Sequence, residues 1–335
     1  MRAPAVVPGV VPAVAAGDLP ATSDVAFDNV DMSVFLVGDA GVPRNPLLPL
    51  LARAIDARIA ALGAERVAVI FLGDNEYPYG SGPTSPIVEA QVNAANRDPA
   101  ARVFFVPGNH DWAQGREVGL ERVRNQERIV SNGANVVLLP GGGCPGPVAT
   151  NLGTRLRVIA VDTQWYLDDQ VKPEGCHPDG SPSALTELLD AGGARETIIV
   201  AHHPLRSGGG HGVRRGRQDQ NHRVNRAMRD GFLRAIAAAQ ARPLAWVSGH
   251  EHTLEVQEGL GARFHLVSGA GKYHDTERVR RANEPEWIFP ADTQWRPANG
   301  GFLRLDITRD GSPARVGVFE SRGGAIAEVA STSLP

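Results

Sequence analysis

"VAVIFLGDNEYPYG", residues 67–80, joins an apolar run to a loop that holds two of the four tyrosines in the chain. The six residues Val67 to Leu72 read as a strand buried on both faces. A carboxylate, Asp74, follows one glycine later, and a phenol, Tyr77, stands three positions beyond it. Packing of the loop or a shared cation each account for such a pair, and the rest of the chain decides between them.

Working outward, the same design recurs. Strand-like runs occupy 33–38, 67–73, 102–108, 156–162, 197–202, 244–249, 263–269, 302–307 and 314–320. Helix-like segments at 46–62, 116–130, 183–191 and 225–240 lie between them, which predicts an α/β layered fold. Connections shorten towards the C-terminus, so part of the sheet is expected to be antiparallel or mixed. No internal repeat is visible. The organisation predicted is a Pro-rich N-terminal arm over residues 1–30 and one catalytic domain over 31–335.

Composition sets limits on function. The 335 residues are 42% hydrophobic and 21% charged, as in ordinary globular proteins. A net charge of −3 provides no electrostatic basis for a stable nucleic-acid partner. No apolar run approaches the roughly 20 residues of a membrane span. Arg2 and the apolar residues after it imitate a signal peptide, yet Pro4, Pro8 and Pro12 interrupt that stretch and favour an extended arm. Export to a periplasmic or extracellular space therefore stays open, as does the oligomeric state. Cys144 and Cys176 both lie in Gly/Pro-rich loops, compatible with one disulfide and equally with two free thiols.

The residues just past each strand carry the chemistry. Asp39 stands in "VGDAG", Asp74 in "GDNEY", and Asn109, His110 and Asp111 in "GNHDW". His202 and His203 stand in "AHHP", and His250, Glu251 and His252 in "GHEH". Ligands of α/β sheets bind beyond the C-terminal ends of the strands, where all these groups fall. Oxygen and imidazole donors without thiolate suit Mn, Fe, Zn or Mg, and the number of donors suffices for two cations bridged by one carboxylate. A lone Asp after a strand is usually a turn residue, and a lone H-x-H is usually incidental. Five such groups in this order are not explained that way.

In these motifs the sequence resembles the calcineurin-like metallophosphoesterases, over residues 34 to about 252. The resemblance implies a four-layer αββα sandwich of two mixed sheets flanked by helices, with a dinuclear metal site at the strand ends. The chain departs from the general D-x-H motif, because Gly41 stands where the histidine is expected. The purple acid phosphatase branch lacks the same histidine and has a tyrosine in a GDNxY motif, which "GDNEY" matches. Carried over, the resemblance implies a first metal held by Asp39, Asp74, Tyr77 and His252. It implies a second held by Asp74, Asn109, His202 and His250, with Asp74 bridging. His110 and His211 are implied as catalytic outer-sphere histidines. His202 is preferred over His203 because it comes directly after the strand, which leaves His203 to point elsewhere. Tyr79 has no counterpart and is expected to serve loop packing.

Two cations offset the charge of a phosphate ester and acidify a water that attacks phosphorus in line. A phenolate donor favours ferric iron at the Tyr77 site, with Fe, Zn or Mn at the second. The expected activity is hydrolysis of phosphate monoesters on small molecules. A phosphodiesterase with the same metal core and a non-catalytic metal- or phosphate-binding protein are the alternatives. The Arg/Gly-rich segment 206–226 reads either as a phosphate-binding rim or, preferentially, as a solvated loop.

Overall fold

The computed structural model describes residues 27–131, 135–167, 173, 175–176, 182–209, 211, 223–272 and 300–335. Residues 1–26 of the N-terminal arm, Lys172, and Arg214, Arg215 and Arg217 of the Arg/Gly-rich segment lie outside the described residues.

Continuously apolar strands need cover on both faces, and two sheets with helices outside them supply it. The first sheet contains β1 (Val30–Val37), β2 (Val67–Phe71), β3 (Arg102–Phe105) and β4 (Val136–Leu138), all parallel. β11 (Gly301–Thr308), β12 (Ala314–Arg322) and β13 (Ala325–Leu334) extend it antiparallel, giving the order β13-β12-β11-β1-β2-β3-β4. The second sheet has the order β5-β6-β7-β8-β10-β9. Its parallel core is β6 (Leu156–Ala160), β7 (Glu196–Val200), β8 (Ala245–Ser248) and β10 (Phe264–Ser268). Its antiparallel edges are β5 (Val148–Leu152) and β9 (Leu254–Glu258). Both sheets are mixed, as the shortening connections predicted.

Period-2 alternation sorts each strand between two cores. Val34, Leu36, Ile70 and Phe104 of the first sheet meet Val158, Ile198, Val247 and Leu266 of the second in the central layer. Phe35, Phe71 and Phe105 face the other way, onto Leu51 and Ile55 of α1 (Leu47–Leu62), Val88 of α2 (Pro86–Ala95) and Val123 of α3 (Gly119–Val130). Ile159, Ile199 and Trp246 pack against Leu185 and Leu189 of α4 (Pro182–Asp190) and Phe232 of α5 (Arg223–Ala238). The result is an αββα sandwich.

Several elements were not read from the sequence. α2 is capped by Ser85, whose Oγ accepts the Val88 N–H at 3.1 Å, with Pro86 in the first turn. Its segment is short and rich in alanine and polar residues, so its apolar period is faint. β4, β5, β9 and β13 sit at or beside sheet edges, where one face needs no apolar side chains. Cys144 and Cys176 form a disulfide with a Cα–Cα distance of 5.3 Å. With 32 residues of separation, the crosslink restricts the unfolded chain, a stabilisation of about 3–4 kcal/mol.

Candidate metal centre

The parallel strands of both sheets deliver their C-terminal ends to one place. β1 and β2 lead into Asp39 and Asp74, β3 into Asn109 and His110, β7 into His202, and β8 into His250 and His252. The backbone turns sharply there. Asp39 (φ 61°), Asp74 (φ 53°) and His250 (φ 67°) all adopt left-handed conformations that side chains rarely take. Such strain persists only where the surroundings impose it, and it concentrates at functional sites. Gly73 (φ 92°) admits a close approach, since a Cβ there would stand 2.4 Å from His202 Nδ1.

The side chains gather in two groups that Asp74 joins. In the first, Tyr77 Oη donates to Asp39 Oδ1 at 3.0 Å and lies 3.2 Å from His252 Nε2, which is 3.4 Å from Asp39 Oδ1. In the second, Asn109 Oδ1 lies 2.9 Å from His202 Nε2 and 3.1 Å from His250 Nδ1, and the two imidazole nitrogens are 3.3 Å apart. Asp74 Oδ1 is 3.3 Å from His202 Nε2. Ligand atoms of Asp39, Asp74 and His202 all lie within 4.8 Å of one another. All seven side chains named from the sequence as metal ligands are thus brought together.

The donor chemistry fits cations. His202 Nδ1 is 2.8 Å from the Leu72 carbonyl oxygen, so it carries the proton and leaves the Nε2 lone pair facing inward. That lone pair meets the oxygens of Asp74 and Asn109, an arrangement of acceptors that a positive ion reconciles. Burial, together with the Asp39 and Asp74 carboxylates, pushes the Tyr77 phenol well above its ordinary value. A phenolate at this position therefore needs a cation beside it. The Lys272 ammonium adds a charge 4.5 Å from the Tyr77 ring centroid.

Gly41, where the histidine of D-x-H is missing, has no room for a side chain. A Cβ there would stand 2.5 Å from Asp74 O, Asn75 C and Glu76 N. The Tyr77 N–H donates to Gly41 O at 3.0 Å, and the Gly41 N–H to Asp74 O at 3.1 Å. The loop bearing the tyrosine occupies the space a histidine would need. Gly41→Ala is expected to push that loop out, lower stability by about 1–3 kcal/mol and weaken metal binding. Thermal unfolding and metal content of the variant check this; wild-type values for both would disprove the steric account.

Asp111 organises the loops behind the donors. Its carboxylate accepts the N–H groups of Gly108 (2.8 Å), Asn75 (3.0 Å) and Glu76 (3.1 Å), and Gln126 Nε2 at 2.8 Å. Burial, then the neighbouring Asp74 charge, raise its pKa to about 7. Trp112 Nε1 donates to Asp162 Oδ2 at 2.7 Å, tying the end of β3 to the end of β6 across the two sheets.

The two outer histidines have different neighbours, His110 beside Tyr77 and Asp74 and His211 beside His250. His110 Nδ1 is 2.7 Å from the Pro78 carbonyl oxygen, which places its proton there and leaves Nε2 3.8 Å from Asp74 Oδ2. The His211 ring is 4.5 Å from the His250 ring. His203 is buried, its Nδ1 2.8 Å from Thr163 Oγ1 and its ring 4.4 Å from that of His250. A ligand nitrogen of His203 nevertheless lies within 4.8 Å of those of His202 and His250, a proximity the sequence did not reveal. Burial, then His202, holds His203 well below its ordinary pKa, so it stays neutral.

Two other readings change. Tyr79 is 43% exposed, with the Arg116 guanidinium 3.4 Å from its ring centroid, so it serves a surface cation–π contact rather than loop packing. Arg206 is held by Gln257 Oε1 at 2.6 Å and by the Glu258 carbonyl oxygen at 2.5 Å, which ties it to β9. Arg226 is exposed on α5.

Comparison with known proteins agrees with this geometry. The family model for calcineurin-like phosphoesterases matches residues 32–254. No curated protein matches the chain. Among solved structures, GAP50, described as the anchor in the inner membrane complex of Plasmodium, is similar with a TM-score of 0.62 and 16% identity, over 91% of this chain and 89% of that one. PhoD is similar with a TM-score of 0.60 and 13% identity, over 90% of this chain and 69% of that one. A dimetal phosphatase from Danio rerio gives 0.51 and 13%, over 91% and 99%. At these identities the likeness is one of fold. Among the described residues, no helix is long and apolar enough to cross a membrane.

Proposed function

Because the chain belongs to the calcineurin-like phosphoesterases, a family of dinuclear metal-dependent phosphoester hydrolases, we propose that it hydrolyses phosphate monoesters of small molecules in the manner of a purple acid phosphatase. The observation that carries this reading is the Asp39–Tyr77–His252 group, packed beside a Gly41 that has no room for a histidine. When bound, two cations would neutralise the phosphoryl charge and acidify a water. Asp39, Asp74, Tyr77 and His252 would hold one; Asp74, Asn109, His202 and His250 would hold the other. The hard, anionic phenolate oxygen favours ferric iron at the first position, and the more neutral second set accepts Fe, Zn or Mn.

The chain's own groups then divide the work. The Pro78 carbonyl oxygen accepts the His110 Nδ1–H, which turns Nε2 towards Asp74. Carrying a second proton on Nε2, as the imidazolium, His110 would give that proton to the leaving alkoxide and return to the neutral Nδ1–H form. His211 stands beside His250 as the second outer group. Leu72 O fixes the His202 tautomer, which keeps Nε2 pointed at the centre.

Metal analysis, a visible spectrum and an aryl phosphate assay of one preparation test the reading together. The expected result is two metals per chain, a visible absorption band with iron bound, and turnover abolished by chelation. The band is expected to vanish in Tyr77→Phe. A colourless ferric protein would sink the tyrosine assignment, and no turnover with Fe, Zn or Mn would favour a metal- or phosphate-binding protein. A faster rate on the bis-aryl diester than on the monoester would favour a phosphodiesterase.

A further inference from the structure

Glu251, inside the G-H-E-H run, and Glu255, on β9, are both buried. Two carboxylates side by side in the interior need compensating donors. Much of that compensation comes from one loop. Ser207 Oγ lies 3.0 Å from Glu251 Oε2 and 3.3 Å from Glu255 Oε1. The Gly208 N–H donates to Glu255 Oε2 at 3.2 Å, and the His211 N–H to Glu251 Oε2 at 2.8 Å. The Gly209 N–H donates back to Ser207 Oγ at 3.0 Å. Thr253 Oγ1 (2.6 Å) and Gln257 Nε2 (2.5 Å) complete the shell of Glu255. The fit is steric as well: a Cβ on Gly209 would stand 2.2 Å from Glu251 Cδ. Residues 207–209 and 211 are thus folded around these two carboxylates, with the His211 backbone anchored directly on Glu251.

We infer that Glu251 and Glu255 form a clasp that holds His211 at the metal centre, which makes Glu251 a positioning residue for the reaction. The functional half of this inference rests on the proposed hydrolase reading; the structural half does not. Glu251 is fully buried. It acts through the His211 backbone, which it fixes, while the neighbouring residues His250 and His252 would hold the metals of the proposed centre.

Amide hydrogen exchange and steady-state kinetics on the full, metal-loaded chain test it, using Glu251→Gln, Ser207→Ala, His211→Ala and the Glu251→Gln/His211→Ala double variant. Ser207 stands away from the ligand run, so its variant remains informative if Glu251→Gln folds poorly. Amide exchange over residues 206–211 is expected to speed up in both clasp variants with two metals retained. The kcat on an aryl phosphate is expected to fall about ten- to hundredfold, with KM nearly unchanged. Glu251→Gln is expected to cost nothing further once His211 is alanine, because two residues acting through one effect are not additive. Unchanged exchange in both clasp variants, or activity losses that multiply in the double variant, would overturn the inference. A wild-type chain that hydrolyses no ester, yet shows the exchange difference, would defeat the hydrolase reading while supporting the clasp.

Discussion

Asp74→Asn is expected to lower turnover of an aryl phosphate by about a thousandfold or more and to reduce bound metal from two ions to one or fewer. Asp74 stands between the two donor groups, 3.3 Å from His202 Nε2 and with a ligand atom within 4.8 Å of one on Asp39. Its Oδ1 also accepts the His110 N–H at 2.9 Å. Asparagine keeps an acceptor for that N–H and tolerates the left-handed backbone at φ 53°, so the loop is expected to stay in place. What is lost is the negative charge that two cations would share in the proposed centre. Circular dichroism should therefore match the wild type while metal analysis and kcat do not. A variant that still holds two ions and keeps its kcat within tenfold would show that another group bridges them.

The second large effect concerns stability. Asp306, on β11, is buried among three arginines. Arg58 Nη2, on α1, donates to its Oδ1 at 2.8 Å, and Arg304 Nη2 to its Oδ2 at 3.0 Å. Arg315 Nη1 stands 4.0 Å away, and Ser33 Oγ donates to Oδ1 at 2.6 Å. Burial, with the nearby Arg304 and Arg315 charges, lowers the pKa of Arg58 and Asp306 opposes that shift, so the carboxylate is the group that keeps a buried guanidinium tolerable. Asp306→Asn is expected to destabilise the chain by about 3–5 kcal/mol, because it leaves buried cations without their partner. Urea unfolding, read by tryptophan fluorescence, measures this. A loss below about 1 kcal/mol would mean that water or Glu328, which also pairs with Arg315, takes over the charge.

Much of the fold was legible because it is written in short windows. The runs 34–37, 67–72, 198–201 and 244–247 are apolar without interruption, and each leads within two residues to a glycine or a histidine beside the polar donors. Elements without that signature were missed. α2 shows only a Ser-Pro start and a weak apolar face, and β13 alternates poorly because it is an edge strand.

The candidate site divides along the same line. Sequence by itself determined the donor types, their order and their position at strand ends, since each depends on residues a few positions apart. It also noted that Gly41 and Tyr77 complement each other, without the reason. Only the tertiary structure supplied that reason, by laying the 74–76 backbone where a side chain on residue 41 would stand. It also joined Cys144 to Cys176, brought His203 against His250, and set Ser207, Gly208 and the His211 backbone against Glu251 and Glu255. These contacts join residues 32 or more positions apart, and most of them bring one strand end against another. No local period encodes such meetings. They are fixed when the central apolar layer brings the two sheets face to face and their C-terminal edges converge.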